Sequence, residues 1–232
     1  MDFSFTPEQE MLRKTAREFA EKWVAPKVDE MEKTCKLPMD LVKKMAELGF
    51  MGVLIPPEYG GTGAGHIARI IMLEEIGRVY AAMASTLQIF HLGQAPIIYY
   101  GSEEQKKKWL PSLASGEKLA ALAVTEPVGG SDVMGIQTTA KKDGDNYILN
   151  GKKCFITNAH IADLCGILAK TGERELNCFI VEKDTPGYRP GKEEEMLGLR
   201  GGTVGEIFLD NCKVPKENLI GKEGEGLRTA LS

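Results

Sequence analysis

The stretch LAVTEPVGGSD, residues 122–132, decides the fold. An apolar run, Leu122-Ala123-Val124, breaks into Thr125-Glu126-Pro127, then Gly129-Gly130, then Ser131-Asp132. In a dinucleotide-binding fold such glycines join a strand to a helix. Here the next periodic segment, IQTTAKKDG (136–144), is again β-type, so a strand precedes the glycines and a strand follows them. The stretch is a loop of a β domain, and its spacing admits two readings. Either it presents backbone N–H groups and two hydroxyls to a ligand, or it is a plain bulge or turn in which Thr125 and Ser131 bond locally.

Outward from this loop the short β-type runs continue. They are KLAALAVTE (118–126), IQTTAKKDG, NYILNG (146–151), KKCFITN (152–158), DLCGILAK (163–170), LNCFIVEK (176–183) and VGEIFLDN (204–211). Turn signals separate them at Lys142-Asp143-Gly144-Asp145, at Asn150-Gly151 and at Asp184-Thr185-Pro186-Gly187. Asn150-Gly151 reads as a hairpin turn. So many short strands predict an antiparallel barrel or sandwich.

Before residue 118 the period is helical. Thr6-Pro7-Glu8-Gln9 is a capping box, and the helix after it predicts one face from Leu12, Ala16, Phe19, Ala20 and Trp23. A second helix is predicted over 38–48, closed by Gly49, and a third through Ile67, Ile70, Ile71, Glu74 and Val79. A fourth, nearly all apolar or small, covers 82–92. The Pro- and Gly-rich VLIPPEYGGTGAG (53–65) is a loop, and Ser102-Glu103-Glu104-Gln105 opens a further capped helix. The expected fold class is α+β: an all-α helical domain at 1–117, then an antiparallel β-barrel or sandwich domain at 118–222. Residues 223–232 read as the start of a truncated helical domain.

Bulk properties narrow the function. A net charge of -4 gives no electrostatic case for nucleic acid. No apolar run reaches the roughly 20 residues of a membrane span, and the acidic start MDFSFTPEQE is neither a signal nor a transit peptide. The five cysteines, Cys35, Cys154, Cys165, Cys178 and Cys212, form no C-x-x-C pair, so no metal site is expected. Four lie in strand-like runs as buried free thiols, a usage that fits a reducing, cytoplasmic compartment.

The motifs together resemble a family. TEP-x-x-GSD (125–132) followed by Phe155-Ile156-Thr157-Asn158 is similar to the acyl-CoA dehydrogenase flavoproteins. So are PPEYGGTG (56–63), LGQAPIIYYGSEEQKKKWLPSLASGE (92–117), LNGKKCFITNA (149–159), GLRGGTVGEIFLDNCKVPKENLIG (198–221) and GEGL (224–227). The resemblance implies a helical domain, a β domain and a C-terminal helical bundle that this chain lacks. It implies FAD as cofactor, an acyl-CoA thioester as substrate and an electron-transferring flavoprotein as electron acceptor. It also implies a homo-oligomer in the full-length protein.

Carried over by position, Leu122, Val124, Thr125, Gly130, Ser131, Phe155, Ile156 and Thr157 would be cofactor-binding. Val124 and Thr125 would meet the pyrimidine edge, where donors favour the negative charge of a reduced ring. Gly129-Gly130 would let the chain come close, and Ser131 would bond near the phosphates. Phe155 would pack on the ring and the Thr157 hydroxyl would lie near N5. Ser131, Ser85, Gln88 and Leu92 would face the substrate, and His91 is either a pocket border or a satisfied core histidine.

The sequence departs from the family twice. Phe155 stands where Trp is frequent, and Val128-Gly129-Gly130 where Gly-Ala-Gly is frequent. The family's catalytic base lies in the absent bundle, and no carboxylate here inherits it, so no catalytic residue is named and the chain alone is expected to be inactive. An oxidase or an enoyl-CoA reductase on the same scaffold, or a non-enzymatic module binding CoA or a partner, are the alternatives.

Overall fold

The computed structural model describes residues 4–231. The chain forms two compact units. The first gathers the chain up to Gln88 with Ala114–Gly116 and Glu195–Gly202; the second gathers Ile89–Leu113, Glu117–Glu194 and the chain from Thr203 onward.

The first unit is helical. Thr6 caps α1 (Pro7–Phe19) through the expected box: its hydroxyl accepts from the Gln9 amide at 3.3 Å, and Gln9 Oε1 accepts from the Thr6 amide at 3.1 Å. The predicted apolar face holds only as far as Ala20. There the helix widens into a π-helical turn, Ala20–Val24, whose i→i+5 bonding advances the face. Val24 is buried in place of Trp23, which is 45% exposed with the Lys44 ammonium 4.9 Å from its ring centre.

Helices α2 (Val28–Thr34), α3 (Met39–Glu47) and α4 (Gly65–Val79) complete this unit, with the core built from Phe19, Met31, Met45, Phe50 and Met72. Phe19 meets Phe50 edge-on, centroids 5.7 Å apart. Between α1 and α4, Arg17 donates twice to the Glu75 carboxylate, at 2.7 and 2.9 Å. Arg200 donates from Nε to the Glu32 carbonyl at 3.1 Å.

Helix α5 (Ala81–Tyr100) is longer than its predicted 82–92, and its residues from Ile89 belong to the second unit. It runs through Gly93 and Pro96. Gly93 serves close packing and does not end the helix, since a Cβ there would lie 2.6–2.8 Å from Ala120 and Ala121. Helix α6 (Glu103–Ala114) opens on the predicted Ser102–Gln105 box.

The sheet of the second unit has strands β1 (Ala120–Ala123), β2 (Thr139–Asp143), β3 (Asn146–Thr157), β4 (Leu164–Gly172), β5 (Glu175–Glu182), β6 (Tyr188–Glu193), β7 (Val204–Pro215) and β8 (Leu219–Ile220). Their order is β6-β7-β3-β2-β4-β5-β8, with β1 added beside β4. The α+β class stands, with three corrections to the expected β domain. The sheet is mixed, because β1 and β2 both pair with β4 in parallel, and it does not close into a barrel.

The third correction concerns Asn150-Gly151. NYILNG and KKCFITN are one strand, β3, and the chain reverses instead at Gly144-Asp145 between β2 and β3. Asn150-Gly151 is a bulge where the β3–β7 register shifts. The Asn150 side chain accepts from the Asn211 amide at 2.8 Å, and Gly151 leaves room for Thr138, whose Oγ1 would lie 2.3 Å from any Cβ there.

Alternation along the strands fills both faces. Tyr147, Leu149, Ile167, Phe179, Val181, Ile207 and Leu209 form one core, with the Tyr147 and Phe179 rings 4.8 Å apart. Ile136, Leu168, Leu176 and Ala230 form the other, the last from helix α7 (Gly226–Leu231). Cys154, Cys165, Cys178 and Cys212 lie on β3, β4, β5 and β7, buried and free as expected. Helix α7 is seated by Gly226, whose Cα lies so near β5 that a Cβ would come within 2.4–2.5 Å of Leu176–Asn177 backbone. Asn177 Oδ1 accepts from the Gly224 amide at 2.8 Å. At the sheet ends, β6 carries Pro190, and the Gln105 amide donates to the carbonyls of Glu217 and Leu219 beside β8 at 2.6 and 2.8 Å. Among the described residues no helix is long and apolar enough to cross a membrane.

Candidate functional site

The second unit holds a cleft of about 330 Å³. Leu122, Val124 and Thr125 line it from the end of β1, and Phe155, Ile156 and Thr157 from the end of β3. Ile89 and Leu92 of α5 and Ala230 and Leu231 of α7 close the wall. Six of the eight residues predicted to hold a cofactor thus meet around one space, with Leu92 beside them. Gly130 and Ser131 belong to the same loop but are exposed and off the wall; Gly130 packs next to Thr125, where a Cβ would sit 3.4 Å from the Thr125 methyl. Ser85, half-buried, and Gln88, exposed, lie earlier on α5 in the first unit. His91 is fully buried and does not line the cleft.

Local geometry explains how each edge is presented. The β3–β7 register shifts a second time between Lys153 and Ile156, and Phe155 within that bulge has φ 56°. An aromatic residue in the left-handed region is strained by about 1–2 kcal/mol. The left-handed backbone at the bulge turns the ring outward, leaving Phe155 66% exposed while Lys153, Cys154 and Ile156 are buried. On the opposite edge, the loop 126–129 folds on itself through paired bonds, Glu126 N to Gly129 O at 3.2 Å and Gly129 N to Glu126 O at 3.0 Å. The Thr125 carbonyl accepts from the Cys154 amide at 3.0 Å, which ties the two edges directly.

Beneath this tie is a group that the sequence reading missed. Lys153, with no side-chain exposure, donates to Glu126 Oε1 at 2.7 Å and to the Val124 carbonyl at 3.1 Å. Glu126 also accepts from the amides of Gln137 at 2.5 Å and Thr138 at 3.0 Å. Burial by itself would raise the Glu126 carboxyl; the donors Lys153, Thr138 and Gln137 outweigh it and hold it below the ordinary carboxylate range. A lysine inside a strand reads as exposed by default, and two bulges in β3 erase the alternation that would have flagged it. Its one sequence signal is a glutamate of opposite charge in the neighbouring loop. Among the described residues none that lines the cleft is acidic, and the nearest carboxylate in sequence, Glu126, is engaged by Lys153 and two backbone amides.

Comparison with known proteins follows the same motifs. Residues 6–117 match the family model for the acyl-CoA dehydrogenase N-terminal domain and residues 121–212 that for the acyl-CoA dehydrogenase middle domain. An acyl-CoA dehydrogenase of Bacillus subtilis (strain 168) is 46% identical over 98% of this chain and 61% of its own length. An acryloyl-CoA reductase (NADH) of Anaerotignum propionicum is 43% identical over 100% of this chain and 60% of its own. Among solved structures, a chain from one described as the electron transferring flavoprotein of Acidaminococcus fermentans superposes with a TM-score of 0.96 and 42% identity, covering 99% of this chain and 62% of that one. An acyl-CoA dehydrogenase complexed with FAD from Bacillus anthracis superposes with a TM-score of 0.91 and 38% identity, covering 98% and 39%. The chain spans about 60% of the length of the two curated relatives.

Proposed function

The chain belongs to the acyl-CoA dehydrogenase family, and from that membership we propose that its cleft is the flavin-facing part of an FAD-dependent acyl-CoA dehydrogenase. The whole protein would convert an acyl-CoA thioester to the α,β-enoyl-CoA and pass the electrons to an electron-transferring flavoprotein. The supporting observation is that the two motif segments converge on one cleft, with Phe155 held out over it in a strained backbone.

A fused planar ring needs an apolar wall and a polar edge, and the cleft residues fit both needs. Phe155, Ile156 and Leu92 offer the wall; Val124 and Thr125 offer the edge, with Thr157 next to Ile156. FAD, when bound, supplies the hydride acceptor of this reaction class. The residues of this chain would do the holding. Val124 and Thr125 would direct donors at the edge where negative charge develops, and Phe155 would cover one ring face and keep water from it. Gly130 and Ser131, exposed beside Thr125, would take the phosphate-bearing part of the ligands. Ser131 with Leu92 would also border the thioester's path.

By the family resemblance the proton-abstracting base would come from a part of the protein outside these residues; among the described residues lining the cleft none is acidic. The chain by itself would bind and orient without turning over, and the full-length protein would be a homo-oligomer. A second reading reverses the reaction, reduction of an enoyl-CoA, and is favoured by the 43% identity to a relative named acryloyl-CoA reductase.

The test is the visible absorption spectrum of the purified chain with FAD. A bound flavin spectrum, resolved and shifted from that of free FAD, is the expected result. A folded chain that leaves the spectrum of saturating FAD unchanged would remove the reading that this cleft holds a flavin.

A further inference from the structure

Glu126 and Lys153 do more than satisfy one another. Glu126 leaves β1 and opens the loop; Gln137 and Thr138, whose amides it accepts, lead into β2; Lys153 is on β3. One buried pair thus joins three segments of chain at a single point. Lys153 spends a second proton on the Val124 carbonyl, at 3.1 Å, and the neighbouring Thr125 carbonyl is taken by the Cys154 amide, at 3.0 Å. Both carbonyls at the cleft edge are therefore turned into the protein. What Val124 and Thr125 can offer the cleft is N–H and hydroxyl, so the edge is biased towards an electron-rich, acceptor-bearing ligand.

We propose that the Lys153–Glu126 ion pair is the positioning element of the cleft. It sets the orientation of the Val124 and Thr125 peptides and so makes the edge a donor edge. Neither residue lines the cleft, and their effect passes through Val124 and Thr125. This deepens the flavin reading and rests on it for the identity of the ligand, but the geometric part stands on the chain alone. A buried ion pair is a weak source of stability, since exchange for neutral groups of like volume is often neutral or favourable, and a registry role is its best-attested use. The three segments held here fit that use.

The pair is tested with the double variant E126Q/K153M, which removes both charges, keeps near-native volume and strands no lone ion. Two readouts are taken, amide hydrogen exchange without FAD and the FAD dissociation constant by absorbance titration.

In the parent chain the amides of Gln137, Thr138 and Cys154 should be protected to the level of the central strands. In the double variant they should exchange about tenfold faster or more, while Ile167 and Phe179 keep their protection, and FAD should bind about tenfold more weakly or worse. A merely structural pair would lower the thermal midpoint and leave the FAD affinity of the folded molecules unchanged, which would overturn the proposal. Exchange of those amides in the parent chain at the rate of an open loop would overturn it too, with no variant needed. If the parent binds no FAD, the flavin reading fails while the exchange result still decides the positioning role.

Discussion

Two ion pairs, one in each unit, join a basic side chain to a glutamate in opposite surroundings. In the helical unit the Arg17 side chain is 49% exposed beside Glu75 at 8%, and Arg78 stands 3.6 Å from the same carboxylate. In the sheet unit the side chains of Lys153 and Glu126 are 0% and 2% exposed. A second arginine, Arg78, already stands beside the carboxylate that Arg17 holds. Among the described residues two backbone amides share Glu126 with Lys153. The first pair is a replaceable fastening between two helices, and the second is a fixture whose parts make sense only together.

The comparison breaks most readily at Lys153. Lys153→Met strands a buried carboxylate and should cost roughly 3–5 kcal/mol in urea melts followed by circular dichroism. A loss no larger than that of Arg17→Ala, measured the same way, would erase the distinction. Gly151→Val, which forces a side chain into Thr138 at the first β3 bulge, should cost about 1–3 kcal/mol with no change in net charge. Arg17→Ala should fall below both, and combining it with Arg78→Ala should cost more than the sum of the two single changes, because Arg78 is the reserve partner.

Acid sharpens the same contrast. The Glu75 carboxyl is held below its ordinary value of 4.5 chiefly by hydrogen bonds from Arg17, and burial opposes this. Glu126 is held below 4.5 by its three donors against burial. Groups whose folded values are depressed stabilise fully above the unfolded value and lose that contribution as pH falls through the folded one. Urea midpoints should therefore be insensitive to these groups from about pH 6 to 8 and drop below about pH 4.5. Glu126→Gln should flatten that drop, and an unaltered slope would show that the sheet pair does not govern it. The smallest expected effect is at the cleft rim. Phe155→Asn, which tolerates the left-handed conformation and forfeits little burial, should gain up to about 1 kcal/mol while FAD affinity falls.

Much of this architecture was legible in the sequence because it rests on local chemistry. Both capping boxes, the Gly144-Asp145 and Pro186-Gly187 turns and the four buried thiols are nearest-neighbour patterns, whereas the six cleft residues follow from the resemblance to the family. What escaped depends on contacts distant in sequence. Asn150-Gly151 carries the composition of a hairpin turn, yet Asn211 on β7 and Thr138 just ahead of β2 make it a bulge. A 3.6-residue period places Trp23 inside, and the π-helical turn at Ala20–Val24 interrupts that period. Strand β6, YRPGKE, offers one apolar residue and a proline, so no alternation announces it. Parallel pairing of β1 with β4 leaves no local mark, and neither did the partnership of Glu126 with Lys153, 27 residues apart.

An open sheet is a polymerisation hazard, since each unpaired edge is a template for another chain. Here neither edge offers a clean one. At β6, Pro190 has no N–H to give, and the Arg189 guanidinium lies 4.1 Å from the Phe208 ring centre as a charged neighbour to any incoming strand. At the other edge β8 is two residues long, and Gln105 already occupies the carbonyls that a newcomer would need. The same side chain that caps α6 therefore acts as a guard against aggregation. Loss of Gln105 would be felt first in the concentration at which the protein stays in solution, before any change in its fold.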